Sequence, residues 1–213
     1  MEKPENKEKT DNSKKTKVLA IGDIHGDTGL VEKLVKKAEE EQVDAIILAG
    51  DITLAEQSIE NIVGPFMKIN KPVFLIPGNH ESDATIDFLS KMYGATNIHG
   101  YGFQLGELGI FGAGTANMGP HSIGDQGISE LLKKGHEQIK NSKKKLMVTH
   151  IHPYGSKSEM FGFQGSQAVR QALNTFHPNI LVNAHIHEAG GMEETINSTK
   201  IFNVSKKERI FEI

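Results

Sequence analysis

The sequence predicts an α/β protein in which short buried strands alternate with amphipathic helices. Two observations carry the prediction. Apolar runs of strand length, "VLAIG" (18–22), "AIILAG" (45–50) and "PVFLIPG" (72–78), recur with room for a helix between them. The segments between and after them, such as "LVEKLVKKAEEE" (30–41), set apolar residues at helical spacing against a charged outer face. Strands and helices in this alternation imply parallel pairing through right-handed crossovers. A second series follows in the C-terminal half, so the two loosely alike halves predict a two-layered or sandwich arrangement.

The elements follow in order. Residues 1–16, "MEKPENKEKTDNSKKT", mix charges without an apolar period and read as a disordered tail. Residues 17–213 read as the folded domain. After the first strand, Asp27 reads as the N-terminal residue of a helix over 28–41. The second strand leads to a weak helix over 55–68, and the third to a helix over 83–93. "IHGYGFQLGELGIFGAGT" (98–115) alternates around glycines as hairpin strands do. A helix over 126–141 and a strand over 145–150 follow. A long loop (151–165) is of the kind that often lines a site. A helix over 166–176 starts from a Ser N-cap, and a strand spans 179–185. "GMEETI", "KIFNVS" and "ERIFEI" are expected to end the chain as a β meander.

Composition excludes several classes of function. The 213 residues carry a net charge of −3, so no global basic field attracts nucleic acid, and genomic DNA is a poor substrate. Cysteine is absent, which removes disulfides and thiolate ligands. No apolar stretch approaches the ~20 residues of a membrane span, and the N-terminus lacks the apolar core of a signal peptide. A cytoplasmic protein without membrane association is the expectation. A homo-oligomer is compatible with the chain.

Chemistry gathers where the strands end. Asp23 and His25 follow the first strand in "GDIHG", Asp51 the second in "AGD", and Asn79 and His80 the third in "GNHE". His150 follows "KLMVT", and His185 and His187 follow "ILVNA" in "HIH". In α/β sheets ligands collect at the carboxyl ends of strands, so these residues are expected to converge. Strand alternation would turn His185 and His187 to one side. Oxygen and imidazole donors without sulfur suit Mn, Fe, Zn, Ni or Mg and disfavour Cu(I) and iron–sulfur clusters. Burial of Asp23 and His25 is tolerable once a divalent ion compensates it.

"GDIHG", "AGD", "GNHE", "TH" and "AHIHE", in this order, resemble the calcineurin-like metallophosphoesterases, in particular the small capless bacterial and archaeal members, which carry a Pro-Tyr-Gly as "HPYG" does here. The resemblance covers residues 17 to about 205. It implies a four-layer α/β/β/α sandwich of two mixed β-sheets flanked by helices. It implies two divalent ions, Mn foremost, with Fe, Zn, Ni or Mg as alternatives. Asp23, His25 and His187 would hold the first, Asn79, His150 and His185 the second, and Asp51 both. His80 would be catalytic. The implied reaction is hydrolysis of a small phosphoester by a metal-bridging hydroxide, with His80 assisting at the phosphoryl or leaving oxygens.

The departures from the family pattern also count. Leu54 stands where the protein phosphatases of the superfamily carry a second Asp, and no Arg follows "GNHE". Arg170 and Arg209 are the only arginines. Phosphoproteins are therefore poor substrates. Phosphodiesters are expected over monoesters, because a dianionic monoester usually needs arginines. His152, Lys157 and Arg170 are the candidate substrate contacts, and Glu81 is a candidate for orienting His80. His99, His121, His136 and His177 are expected to face solvent. "NVS" (203–205) replaces the family's "NPG". Two further readings stand beside the hydrolase: a non-catalytic metal-binding scaffold of the same fold, and a phosphomonoesterase of small metabolites.

Overall fold

The computed structural model describes residues 15–57 and 59–213. Most of the tail expected over 1–16 thus lies outside the described residues. Thr16 already exchanges backbone hydrogen bonds with Ile213.

The first half contains β1 (Lys17–Ile21), α1 (Thr28–Glu40), β2 (Ala45–Ala49), α2 (Gly64–Met67), β3 (Val73–Ile76), α3 (Asp83–Tyr93) and β4 (Thr96–Asn97). The hairpin β5 (Gly102–Leu105) and β6 (Leu108–Ala113) follows, then α4 (Asp125–Ile139), β7 (Lys144–Thr149), α5 (Gln167–Phe176) and β8 (Ile180–Asn183). The chain ends with β9 (Glu193–Ile196), β10 (Thr199–Asn203) and β11 (Arg209–Glu212). One sheet has the order β11-β1-β2-β3-β4 and the other β5-β6-β7-β8-β10-β9. Both are mixed: β1 to β4 pair in parallel and β11 runs antiparallel to β1. In the second sheet, β6, β7, β8 and β10 pair in parallel between antiparallel edges.

Strand alternation builds the layers. Val18 and Ala20 of β1, with Ile47 and Phe74, face the gap between the sheets and meet Ile110, Leu146, Val148 and Val182. Leu19 and Ile21, one residue out of phase, face Val31 and Leu34 of α1 and Ile86 and Leu89 of α3. Phe111, Met147 and Leu181 likewise face Ile128 and Leu132 of α4 and Val169 and Leu173 of α5. Helix, sheet, sheet and helix therefore stack in four layers, as expected. Each fully buried Leu, Ile or Phe contributes about 1.5–3 kcal/mol to this core.

The helix starts follow the sequence. Asp27 accepts from Leu30 N at 2.9 Å, Ser82 from Thr85 N at 3.3 Å and Ser166 from Val169 N at 3.1 Å.

Three expectations need correction. The helix expected over 55–68 shrinks to α2, because Ala55, Glu56 and Asn61 adopt left-handed backbone. Glu56 is instead committed to the start of α3, accepting from Ser82 N at 2.8 Å and Thr85 Oγ1 at 2.7 Å. The final meander breaks after β10. Ser205 bridges Gly22, Lys206 N donates to Gly22 O at 3.1 Å, and the chain crosses to pair β11 with β1. His99 is buried rather than solvent-facing: Gly114 N donates to its Nδ1 at 2.9 Å, and its Nε2 lies 3.5 Å from Asp83 Oδ1.

Candidate metal centre

The loops after the strands are bound to one another before any side chain is considered. Asp23 N donates to Gly50 O at 3.0 Å, His25 N to Asp51 O at 2.9 Å and Gly26 N to Ile52 O at 2.9 Å, so the loops after β1 and β2 run zipped together. Asp23, His25, Asp51 and His185 all take left-handed backbone. Each such residue costs about 1 kcal/mol. Strain of this kind clusters where geometry matters more than stability. Gly78 permits the closest approach: a Cβ there would lie 1.9 Å from Asp51 Oδ1.

The side chains converge from these loops. His187 Nε2 lies 3.2 Å from His25 Nε2 and 3.4 Å from Asp23 Oδ1. Asp23, His25 and His187 thus offer three ligand atoms within 4.8 Å of one another. Asp51 Oδ2 lies 3.8 Å from His25 Nε2 on one side and 3.4 Å from His150 Nε2 on the other. His150 Nε2 is 3.2 Å from Asn79 Oδ1, and the His150 and His185 rings meet edge to face at 5.1 Å. His80 Nε2 stands 3.8 Å from Asp51 Oδ2.

His187 joins Asp23 and His25, and His185 lies against the His150 ring, but strand alternation does not set their directions. β8 ends at Asn183, His185 is left-handed and His187 opens a 3-10 turn.

The donor set fits divalent cations. Asp23 Oδ1 is buried and has no hydrogen-bond partner among the described residues, while Asp23 Oδ2 accepts from His185 N at 3.0 Å. An unpaired buried carboxylate oxygen is costly unless a cation meets it. His150 Nδ1 sits 2.9 Å from Ala49 O, a carbonyl that can only accept, so Nδ1 carries the proton. The Nε2 lone pair is then left facing Asp51 and Asn79, the arrangement that a backbone carbonyl on the far nitrogen imposes on a ligating imidazole.

The imidazoles differ in their electrostatics. Burial lowers His25, and it pushes His185 down to about 4, aided by the nearby charge of His150. Both shifts favour the neutral ring that metal ligation requires, whereas the bond to Asp23 raises His187. Burial opposes the charged form of His150, yet the Asp51 carboxylate overrides it and holds His150 up to about 9. Asp51 is held well below the usual carboxylate range by His150 and by His80 N, against the effect of its own burial.

The sequence model for calcineurin-like phosphoesterases matches residues 16–189. The chain belongs to this family. No curated protein sequence matches it. Among solved structures, a Thermus thermophilus protein, TT1561, superposes with a TM-score of 0.74 at 18% identity, covering 93% of this chain and 99% of that one. A dimetal phosphatase from Danio rerio gives 0.61 at 13% identity over 88% of this chain and 86% of its own. An archaeal phosphodiesterase gives 0.53 at 12% identity over 93% and 100%. At these identities the likeness establishes the shared fold.

In this calcineurin-like phosphoesterase an open cavity of about 580 Å³ lies over the cluster, lined by His25, Asp51, Leu54, Asn79, His80, His185, His187 and Lys206. The three expected substrate contacts lie elsewhere. His152 is fully buried, with Nε2 3.2 Å from Phe163 O. Lys157 Nζ reaches Glu193 O at 3.4 Å, and Arg170 Nη1 reaches Tyr154 O at 3.4 Å. Glu81 does not orient His80: it is buried and accepts from Thr53 N, Thr53 Oγ1 and Gly78 N at 2.7–2.9 Å. It ties the loop after β2 to the loop after β3. His80 Nδ1 has no partner among the described residues. Lys206 is the cavity residue that sequence reasoning missed. The replacement of "NPG" by "NVS", with a lysine next in line, was the available signal.

Proposed function

We propose that this protein hydrolyses phosphate esters with two divalent metal ions, Mn foremost. Asp23, His25 and His187 would hold one ion, Asn79, His150 and His185 the other, and Asp51 would serve both. The observation that carries this reading is the position of Asp51 Oδ2, within 3.8 Å of imidazole nitrogens from both clusters. Divalent ions bound there would supply Lewis-acid polarisation of the phosphoester and a water acidic enough to attack near neutral pH.

The chain's own residues do the rest. The loops fix the donors before substrate arrives, so little reorganisation remains when charge develops. His80, partly exposed at the cavity and 3.8 Å from Asp51, is placed to donate a proton or hydrogen bond to a phosphoryl or leaving oxygen. No cysteine is available for a covalent intermediate. The presence of His80 beside a complete donor set favours the hydrolase over a non-catalytic scaffold. A phosphoester panel assayed with added Mn, Ni, Zn and Mg tests the reading. Metal-dependent release of phosphate or alcohol supports it, and metal-loaded protein that hydrolyses none of the panel refutes it.

A further inference from the structure

We infer that Lys206 contacts the substrate phosphate and favours dianionic monoesters, an inference that rests on the phosphoesterase reading of the cavity. Lys206 is the single lysine or arginine lining that cavity. Its charge acts on both His25 and His187, which places the ammonium on the same flank as the first donor cluster.

The backbone brings it there. Ser205 bridges Gly22 at the tip of β1, and Lys206 N donates to Gly22 O at 3.1 Å. Lys206 itself takes left-handed backbone, a conformation unfavourable to a side chain of this size. The crossover from β10 to β11 thus delivers a cation to the tip of β1, beside Gly22, the residue that precedes Asp23. Lys207 packs its stem over Gly191 and does not line the cavity. Among the described residues Lys206 forms no ion pair, and its side chain is exposed.

A monoester carries two negative charges at neutral pH and a diester carries one. An ammonium adds one compensating charge and three rotatable donors without the fixed fork of arginine. Leu54, half exposed on the same cavity, adds no competing carboxylate. The diester preference expected from the scarcity of arginine presumes a cavity without a cation of its own, and Lys206 supplies one.

The test compares native protein with Lys206→Met and Lys206→Arg at equal, measured metal content. Calorimetry follows binding of inorganic phosphate, and kinetics follow p-nitrophenyl phosphate against bis(p-nitrophenyl) phosphate. Lys206→Met should weaken phosphate binding about tenfold, the worth of one charge-assisted hydrogen bond. It should also lower kcat/KM for the monoester about tenfold more than for the diester, with Lys206→Arg recovering most of the loss. Unchanged phosphate affinity, or equal losses on both esters, would overturn the role of Lys206. Native metal-loaded protein that hydrolyses neither ester would instead count against the phosphoesterase reading, while phosphate binding still decides on Lys206.

Discussion

The Nε2 atoms of His25 and His187 stand 3.2 Å apart across 162 residues of chain. One imidazole can donate to the other at that distance, but this leaves Asp23 Oδ1 buried without a hydrogen bond, its contacts being the His187 and His25 rings at 3.4 and 3.8 Å. A cation among the three atoms would satisfy all of them. The loops that hold Asp23 and His25 in left-handed backbone make sense as the cost of that convergence.

The proposed roles of His80 and Asp51 can be separated by substitution. His80→Ala should lower kcat by about 10²-fold or more while both ions stay bound. Asp51→Asn should lose metal as well as activity, since its carboxylate faces both clusters. Metal analysis of the two variants checks this, and equal metal loss in both would make His80 a ligand rather than a catalytic group.

Gly78→Ala should damage the site through packing alone. Its Cβ would fall 1.9 Å from Asp51 Oδ1 and 2.3 Å from Asp51 N, and neither the ligand nor the backbone can yield. Urea unfolding should show a loss of about 1–3 kcal/mol, with weaker metal binding. Native-like stability and metal affinity would show that the loop after β2 has room to move.

Glu81→Gln tests the clamp between the loops after β2 and β3. Oε1 accepts from Thr53 N and Oγ1, and Oε2 accepts from Gly78 N. A glutamine has one carbonyl oxygen, so its NH2 must face an N–H or lose a partner. The expected cost is about 1–3 kcal/mol in urea unfolding. A variant as stable as the native protein would leave the clamp without weight.

His99 should make stability fall in mild acid. Burial lowers its pKa against the charges of Asp83 and Asp87, with Lys134 assisting. Its Nδ1 accepts from Gly114 N, a bond that protonation breaks. A pKa lowered in the folded state means the unfolded chain takes up protons first, so stability is full above the ordinary value of 6.5 and is lost as pH falls below it. His99→Asn keeps an acceptor and removes the titration. Its unfolding free energy should decline less than that of the native protein between about pH 7.5 and 5.5, and parallel declines would refute the assignment.

Much of this was legible in the sequence because the signals are local. Asp27 and Ser166 cap helices through bonds three residues long, and the apolar run "VLAIG" is of strand length and buried. The donor set was legible because the strands are nearly all apolar and their polar tips stand out. Lys206 was not, since it reaches the cavity only through the crossing of the chain from one sheet to the other. Glu81 was misread because its partners lie on loops that become neighbours only in the sheet. His152 was misread because the segment after β7 folds back and buries it against Phe163 O.

Titration of metal-stripped protein with Mn(II), followed by phosphoester hydrolysis and by metal content, is the most direct measurement. The stripped protein should be inactive, and activity should climb to its plateau as the second ion per chain binds. Hydrolysis at full rate by protein shown to be metal-free would contradict a metal-dependent phosphoesterase built on Asp51 and its two flanking clusters.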